Sequence, residues 1–223
     1  FRMDVSGKNR PLTVLITGFG PFPTAPFNPT QALVAALART RRPALADTKI
    51  VTHIFRTSYA IVDRELPKLL AEHRPDVLLM FGLAARTPYV RIETQARAAR
   101  SRLLSDADGT LGAVAPSTPV PPLPALSGRA PMVPLLLAAR RTGMDVRLSR
   151  NAGRYLCNHL YRRALESAAA ERPKVAVFVH VPKVARGAMA RRRSTRRPAI
   201  TASDLVRVGH ALLPILMSAA RKH

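Results

Sequence analysis

Three short apolar runs constrain the fold of this chain more than any other feature. The segments DVLLMFG at 76–82 and VAVFVHVP at 175–182 are almost continuously apolar, and LTVLIT at 12–17 is similarly rich in β-branched residues. Strands buried on both faces have this composition, and they occur in parallel sheets that helices cover on each side. The runs therefore predict the central strands of an α/β fold.

Helical and strand patterns alternate along the rest of the chain. Helical spacing of apolar residues begins near Asn28 or Thr30 and recurs at 61–73, 155–170 and 201–219. Weaker strand patterns lie at 49–56, 90–98 and 144–148. Alternation of this kind is typical of a three-layer α/β fold, in which a twisted, mainly parallel sheet is flanked by helices. We expect one such domain over residues 1–223.

Three segments do not fit regular structure. Residues 1–10 are predicted to be a flexible N-terminus. The proline-rich stretch 114–134 is predicted to be a loop, because proline lacks the backbone N–H that helices and central strands use. The arginine-rich stretch 186–198 is predicted to be a second, basic loop.

The charge balance is strongly positive. The chain has 36 Lys and Arg against 13 Asp and Glu, a formal net charge of +23. Such a charge favours attraction to nucleic acid or other anionic surfaces. The arginines are nevertheless spread along the chain, no zinc-finger spacing occurs, and aromatic residues are only 5%. Arginine-rich coding bias explains the composition equally well, so we expect no nucleic-acid partner and keep a basic surface for an anionic partner as the alternative.

The sequence contains few features that indicate a cellular compartment or a membrane. A single cysteine forms no internal disulfide, which favours a reducing compartment and predicts a cytoplasmic protein. No run approaches the roughly 20 apolar residues that span a bilayer. The first ten residues contain no apolar stretch before a cleavage site, so we expect neither a secretory signal nor membrane association.

The lone cysteine, Cys157, is a candidate nucleophile. It lies at the start of a helical pattern, where the helix dipole favours the thiolate. His180 lies 23 residues further on, near the end of an apolar strand, and one helix and a turn would return the chain to that neighbouring strand. A histidine beside a thiol supplies the base that activates it. A buried structural cysteine and a core histidine are the alternative interpretation.

Glu93 is a candidate third member, because a carboxylate can orient a histidine. In the predicted strand, alternation puts Arg91 and Glu93 on the face opposite Ile92 and Thr94. A salt bridge from Glu93 to Arg91 or Arg97 is the alternative, and both interpretations stay open.

The turn GFGPF at 18–22 follows the first strand. It lacks the third glycine of a dinucleotide fingerprint and contains prolines, so we expect no such cofactor. Loops at the carboxyl ends of parallel strands commonly build the site. Phe19 and Phe22 in this turn could hold a small flat ring, or they could simply plug the sheet edge.

Four blocks in order resemble the pyroglutamyl peptidase I family, also called pyrrolidone-carboxylate peptidases. The blocks are LITGFGPF at 15–22 with NPT at 28–30; GLA at 82–84 followed by Arg86, Ile92 and Glu93; Ser149 with AGRYLCN at 152–158 and Tyr161; and FVHVP at 178–182. AGRYLCN is the most specific block. The blocks cover most of the chain from Leu12 to Pro182.

This resemblance implies an α/β fold that often forms dimers or tetramers. It implies a cysteine exopeptidase that removes N-terminal pyroglutamate, or a related small acyl group, from peptides through a thioester. Cys157 would be the nucleophile, His180 the general base and then acid, and Glu93 the group that orients the imidazole. No metal and no organic cofactor are expected.

The resemblance also assigns a substrate pocket. Phe19 and Phe22 match aromatic residues that clamp the lactam ring, and Asn28 is a further candidate for substrate binding. Leu83 stands where family members commonly carry a pocket glutamine. Strict counting puts Leu103 where the family has an active-site arginine, and a small shift would bring Arg100 or Arg102 there instead. The triad residues are therefore kept while the specificity pocket is altered.

Overall fold

A computed structural model describes residues 11–22, 25–39, 43–98, 101, 103–111, 124–170, 172–185 and 199–223. Within these, the strands are β1 (Leu12–Phe19), β2 (Thr48–Phe55), β3 (Val77–Leu83), β4 (Val90–Glu93), β5 (Gln95–Ala96), β6 (Leu126–Ser127), β7 (Val146–Ser149) and β8 (Val175–Val181). The helices are α1 (Pro29–Ala38), α2 (Tyr59–His73), α3 (Met132–Arg140), α4 (Leu156–Ala170) and α5 (Ala202–Arg221), with a short 3-10 turn at Pro43–Leu45.

A six-stranded sheet has the order β2-β1-β3-β8-β4-β7. The four strands from β2 to β8 run parallel to one another. Strand β4 runs antiparallel to β8, and β7 runs parallel to β4. Strands β5 and β6 pair separately as a small antiparallel ribbon. The predicted mainly parallel sheet is confirmed.

Helices cover both faces of the sheet, which explains why the central strands are apolar throughout. Alternate residues of β3 and β8 enter two different cores. Leu79 and Val177 belong to the core that includes apolar residues of α1, α3 and α5. Met80 and Phe178 belong to the core that includes apolar residues of α2 and α4. The three-layer α/β prediction is therefore confirmed.

Polar side chains cap two of the helices at their starts. The Asn28 side chain accepts a hydrogen bond from the Thr30 backbone N–H at the start of α1. At the start of α5, Thr201 and Asp204 form a reciprocal capping box. Such caps satisfy backbone donors that a helix leaves unpaired in its first turn.

The predicted loop 114–134 is wrong at its C-terminal end. Helix α3 begins at Met132, and Pro134 lies in its first turn, where the N–H that proline lacks has no partner inside the helix. The short strand β6 also lies within the predicted loop. Residues 114–123 of the predicted loop lie outside the described residues. The predictions for 1–10 and 186–198 also fall outside them.

One buried carboxylate joins three strands at the amino end of the sheet. Asp76 is completely buried, and its Oδ2 accepts the backbone N–H of Thr13 at 3.0 Å. Its Oδ1 lies 2.6 Å from Nη1 of Arg172. Its backbone N–H donates to Thr13 and its carbonyl accepts from Val175. Asp76 thus fixes the starts of β1, β3 and β8 relative to one another.

Replacing Asp76 by alanine should lower the free energy of unfolding by about 2–4 kcal/mol, because it leaves a buried amide and a partly buried arginine without their acceptor. Urea denaturation measures this change. The matched control is Asp145→Ala, which removes an exposed pair with Arg147 at 2.8 Å. That control should cost less than about 1 kcal/mol. Equal losses in the two variants would contradict the role assigned to Asp76.

Candidate active site

The thiol of Cys157 lies against β3. Cys157 is in the first turn of α4, and 6% of it is exposed. A methyl group built on Gly82 would lie only 2.7 Å from Cys157 Sγ. Gly82 is the register partner of His180 in the adjacent strand β8. Because register partners project from the same face and adjacent strands are about 4.8 Å apart, the thiol and the imidazole are neighbours.

The imidazole of His180 is bonded to Glu93. Their Nδ1 and Oε1 atoms are 2.8 Å apart, and both side chains are buried. In the antiparallel pair β4–β8, Glu93 is opposite Phe178 and Arg91 is opposite His180. The side chains of these four residues therefore lie on one face of the sheet. The structure thus bonds His180 to Glu93, and it puts the Cys157 sulfur on the same face of the sheet.

The alternative predicted for Glu93, a salt bridge to Arg91 or Arg97, is also present in part. Nε of Arg91 lies 3.3 Å from Oε1 of Glu93, so this carboxylate contacts both the histidine and the arginine. Arg97 is held differently, because its backbone N–H and carbonyl bond the side chain of Asn158. Glu93 therefore pairs with Arg91 and bonds His180 at the same time.

Neighbouring side chains fix this pair. The Tyr161 hydroxyl donates to the backbone carbonyl of Glu93 at 3.0 Å. The Phe178 ring packs against the His180 ring with centroids 4.9 Å apart. Ser149 is the register partner of Glu93 on β7. Burial raises the pKa of Tyr161, which keeps its hydroxyl a donor.

The histidine and the carboxylate differ in charge. Burial alone would raise the pKa of Glu93, but the hydrogen bond and charge of His180, followed by Ser149 and Arg91, bring this pKa below its ordinary value. Burial lowers the pKa of His180 and outweighs the opposing effect of Glu93. A neutral imidazole that donates from Nδ1 to Glu93 has its Nε2 left as the acceptor. The resting pair is therefore a carboxylate and a neutral base.

The thiol itself is neutral at rest. Burial, followed by the charge of Glu93, raises the pKa of Cys157 to about 12, although Arg91 and the Cys157 backbone amide oppose this rise. The predicted position in the first turn of a helix is confirmed. The helix start acts in the predicted direction, since the backbone amide of Cys157 lowers this pKa, but removing the sulfur from water has the larger effect.

The aromatic residues form a group of tilted rings in the same core as Cys157. Phe19 is completely buried, and its ring centroid is 5.9 Å from that of Phe22 and 6.0 Å from that of Phe55. Phe22 is half-buried and lies 5.9 Å from the ring of Tyr155. The accessible wall is therefore Phe22 with Tyr155, and Phe19 supports it from behind.

Asn28 and Leu83 occupy structural positions. Asn28 Nδ2 donates to the carbonyl of Gly20 at 3.0 Å, and its Oδ1 accepts from Thr30. These bonds hold the turn that carries Phe22. Leu83 pairs with Val181, so strand alternation places it on the face opposite Gly82. Neither side chain is brought to the thiol by the contacts described.

Sequence reasoning missed three residues of this site as functional elements: Gly82, Arg91 and Tyr155. Gly82 leaves the space that the sulfur fills, and Tyr155 extends the aromatic wall. The signal for Arg91 was its separation of two residues from Glu93 in a strand, which puts both on one face. Of the candidates for the family's arginine, Leu103 is 93% exposed, and Arg100 and Arg102 lie outside the described residues.

Two features are absent from the described part of the chain. No group of three or more His, Cys, Asp or Glu side chains there is arranged to hold a metal ion. No helix in the same ranges is long and apolar enough to cross a lipid bilayer.

A cysteine, a histidine and a carboxylate on one face of an α/β sheet are the groups that cysteine hydrolases use. The pyroglutamyl peptidase family model matches residues 12–213. The chain therefore belongs to the pyroglutamyl peptidase family, a family of cysteine peptidases.

Individual relatives agree in sequence and in fold. The chain is 28% identical over 174 residues to the pyrrolidone-carboxylate peptidase of Pyrococcus furiosus, covering 78% of this chain and 82% of that protein. It is 30% identical over 174 residues to that of Mycobacterium tuberculosis, covering 76% of each. The pyrrolidone carboxyl peptidase of Thermococcus litoralis superimposes with a TM-score of 0.80 at 23% identity, covering 95% of this chain and 96% of that one. The overall fold is therefore shared.

Replacing Gly82 by alanine should displace the Cys157 sulfur, because the new methyl group would also lie 2.7 Å from the Phe178 ring. We expect a loss of about 1–3 kcal/mol in the free energy of unfolding and a changed rate of Cys157 alkylation by iodoacetamide. Gly20→Ala is the control, since its methyl group would meet only the Phe55 carbonyl at an ordinary 3.6 Å. Wild-type alkylation in Gly82→Ala would contradict this packing.

Proposed function

We propose that this chain is a cysteine exopeptidase, an omega-peptidase, that removes N-terminal pyroglutamate or a related small acyl group from peptides. The observation that carries the proposal is the imidazole of His180, which is bonded at 2.8 Å to a buried carboxylate. The register partner of His180 is Gly82, against which the Cys157 sulfur packs. Membership of the pyroglutamyl peptidase family supports the choice of substrate.

In the proposed acylation, Cys157 Sγ attacks the carbonyl carbon of the acyl group. The thiol and the imidazole are both neutral at rest, so the proton moves from Sγ to Nε2 of His180 as the S–C bond forms. Glu93 stabilises the imidazolium through Nδ1–H and keeps the ring oriented. His180 then gives the proton to the leaving amine as the C–N bond breaks, and a thioester remains.

Hydrolysis of the thioester reverses these roles. His180 takes a proton from water, the resulting oxygen nucleophile attacks the thioester carbon, and the thiol leaves with the proton returned to sulfur. The first-turn N–H groups of α4 have no acceptor inside the helix, and in this proposal they stabilise the carbonyl oxygen as it gains charge. In this proposal, Phe22 and Tyr155 provide the wall for the acyl ring, with Phe19 behind them.

Hydrolysis of a pyroglutamyl-coumarin amide at neutral pH with reductant tests the proposal. Cys157→Ser and His180→Asn should each lower kcat/KM on the order of 1000-fold or more, and Glu93→Gln should lower it less severely. The matched control is His53→Gln, because His53 also bonds a glutamate, Glu65, at 3.0 Å but lies on β2. Wild-type turnover in Cys157→Ser would contradict the assignment of the nucleophile.

The pH dependence of kcat/KM should have its acid limb below the ordinary histidine range. His180 accepts the proton only when neutral, and burial lowers its pKa. Activity should therefore persist as the pH falls through about 6.5, the ordinary value, and be lost only as it falls through the lowered pKa. Initial rates between pH 4 and 9 measure this limb. A midpoint above about 6.5 would show that His180 is not the buried base described.

The alternative function remains a substrate-switched or noncatalytic homologue that binds an anionic partner through its basic surface. The observation that favours it is the net charge of +23. If the wild type hydrolyses no pyroglutamyl amide, two further measurements distinguish the two forms of this alternative. Hydrolysis of another small acyl amide would indicate a substrate-switched homologue, and salt-dependent binding to an anionic polymer without hydrolysis would indicate a noncatalytic one. Assembly into a dimer or tetramer and a cytoplasmic location stay predictions.

A further inference from the structure

Arg91 contacts the same carboxylate oxygen as the histidine. Its Nε lies 3.3 Å from Oε1 of Glu93, and Nδ1 of His180 lies 2.8 Å from that atom. Arg91 is also the register partner of His180, so its side chain starts on the face that carries the imidazole and the thiol. The arginine side chain is 21% exposed, whereas that of Glu93 is fully buried.

The contact is one of charge and not a well-formed hydrogen bond. Among the described residues, Nε of Arg91 and Oε2 of Glu93 are both buried without a hydrogen-bond partner. A guanidinium keeps its positive charge at every pH that a protein tolerates. Leaving its buried N–H unpaired costs stability, so the value of Arg91 at this position lies in its charge.

We propose that Arg91 is a positioning residue of the site, whose fixed charge adds to the effects that hold Glu93 ionised and His180 neutral in the resting protein. The imidazole is then ready to take the thiol proton. This inference rests on the proposed function and adds a fourth residue to the three that it uses.

The charges around His180 agree in direction with this role. His180 faces Glu93 and Arg91 from β4 and Cys157 from α4, with the Phe178 ring beside it. Burial is the main cause that lowers the pKa of His180, Glu93 opposes it, and the charge of Arg91 lowers it further. The same arginine opposes the rise in the pKa of Cys157 that burial and Glu93 cause.

A less basic imidazole suits both proton transfers. It is neutral over a wider range of pH before attack, and once protonated it gives its proton more readily to the leaving amine. The lower basicity of His180 also weakens the driving force for removing the proton from the Cys157 sulfur. Arg91 offsets that loss in part, because its charge also stabilises the developing thiolate.

The test compares wild type with Arg91→Gln, Arg91→Lys and Arg147→Gln. Arg147 is the register partner of Arg91 on β7, but its charge is exposed and paired with Asp145, so it is a matched control. The first readout is the titration midpoint of the His180 Cε1–H signal by NMR, identified by its loss in His180→Asn. The second is the pH profile of kcat/KM.

In Arg91→Gln the His180 midpoint and the acid limb should both move to higher pH. At pH 5.5, kcat/KM relative to its own plateau should fall at least about threefold below the wild-type ratio. Arg91→Lys should keep the wild-type profile, because it keeps the charge, and Arg147→Gln should change neither readout. If Arg91→Gln does not fold, Arg91→Met replaces it, because methionine also removes the charge and keeps an unbranched side chain, and the same shift to higher pH is expected.

Two results would overturn the inference. One is an unmoved His180 midpoint in folded Arg91→Gln, and the other is a loss in Arg91→Lys equal to that in Arg91→Gln, which would indicate shape and not charge. The NMR titration needs no substrate. A moved midpoint in a protein without turnover would therefore support the role of Arg91 while contradicting the proposed peptidase activity.

Discussion

The buried pair of Glu93 and His180 is the interaction on which the rest of the site depends. A carboxylate with no exposed surface is stable as an ion only if nearby donors and positive charge compensate for its loss of water. Here the hydrogen bond comes across a strand boundary from His180 on β8, and positive charge comes from Arg91 on β4. The order of strands in the sheet therefore determines the charge state of the site.

The reversal of chain direction at β4 makes this arrangement possible. A parallel strand would enter the sheet from its amino end, and the loop before it would lie far from the thiol. Because β4 runs antiparallel to β8, the chain leaving β3 re-enters beside His180 after a short connection. Arg91 and Glu93 then follow one another on the face that α4 covers. A local change of direction thus adds two charged groups to a site that the parallel strands alone would leave with a thiol and an imidazole.

The sequence predicted those parts of the molecule that local patterns determine. The apolar runs of β1, β3 and β8 could be recognised because strands buried on both faces leave little choice of residue. Cys157 and His180 were predicted to meet at one sheet edge because α4 and a short turn lead the chain back to β8, and the structure has this order of elements. The start of α3 could not be recognised, because proline density argued for a loop, although proline is tolerated in the first turn of a helix.

Local sequence patterns did not predict the protonation state of the Cys157 thiol. Placing Cys157 in a first turn suggested a thiolate, yet its charge depends on burial by α4 against β3 and on a carboxylate 64 residues earlier in the chain. The same holds for Phe19 and Phe22. Spacing placed both in one turn, but only the packing of Phe55 behind Phe19 separates the supporting ring from the accessible one.

The hollow above Gly82 also bears on which nucleophiles the scaffold accepts. The sulfur of Cys157 fills the room that a side chain would take, with the Phe178 ring closing the same volume. A hydroxyl oxygen is smaller and is held on a shorter bond, so a serine would leave an unfilled gap and a longer path to the imidazole. A changed nucleophile and a changed residue at 82 would therefore have to arise together. The use of sulfur as the nucleophile therefore depends on the glycine in the neighbouring strand β3 as well as on Cys157 itself.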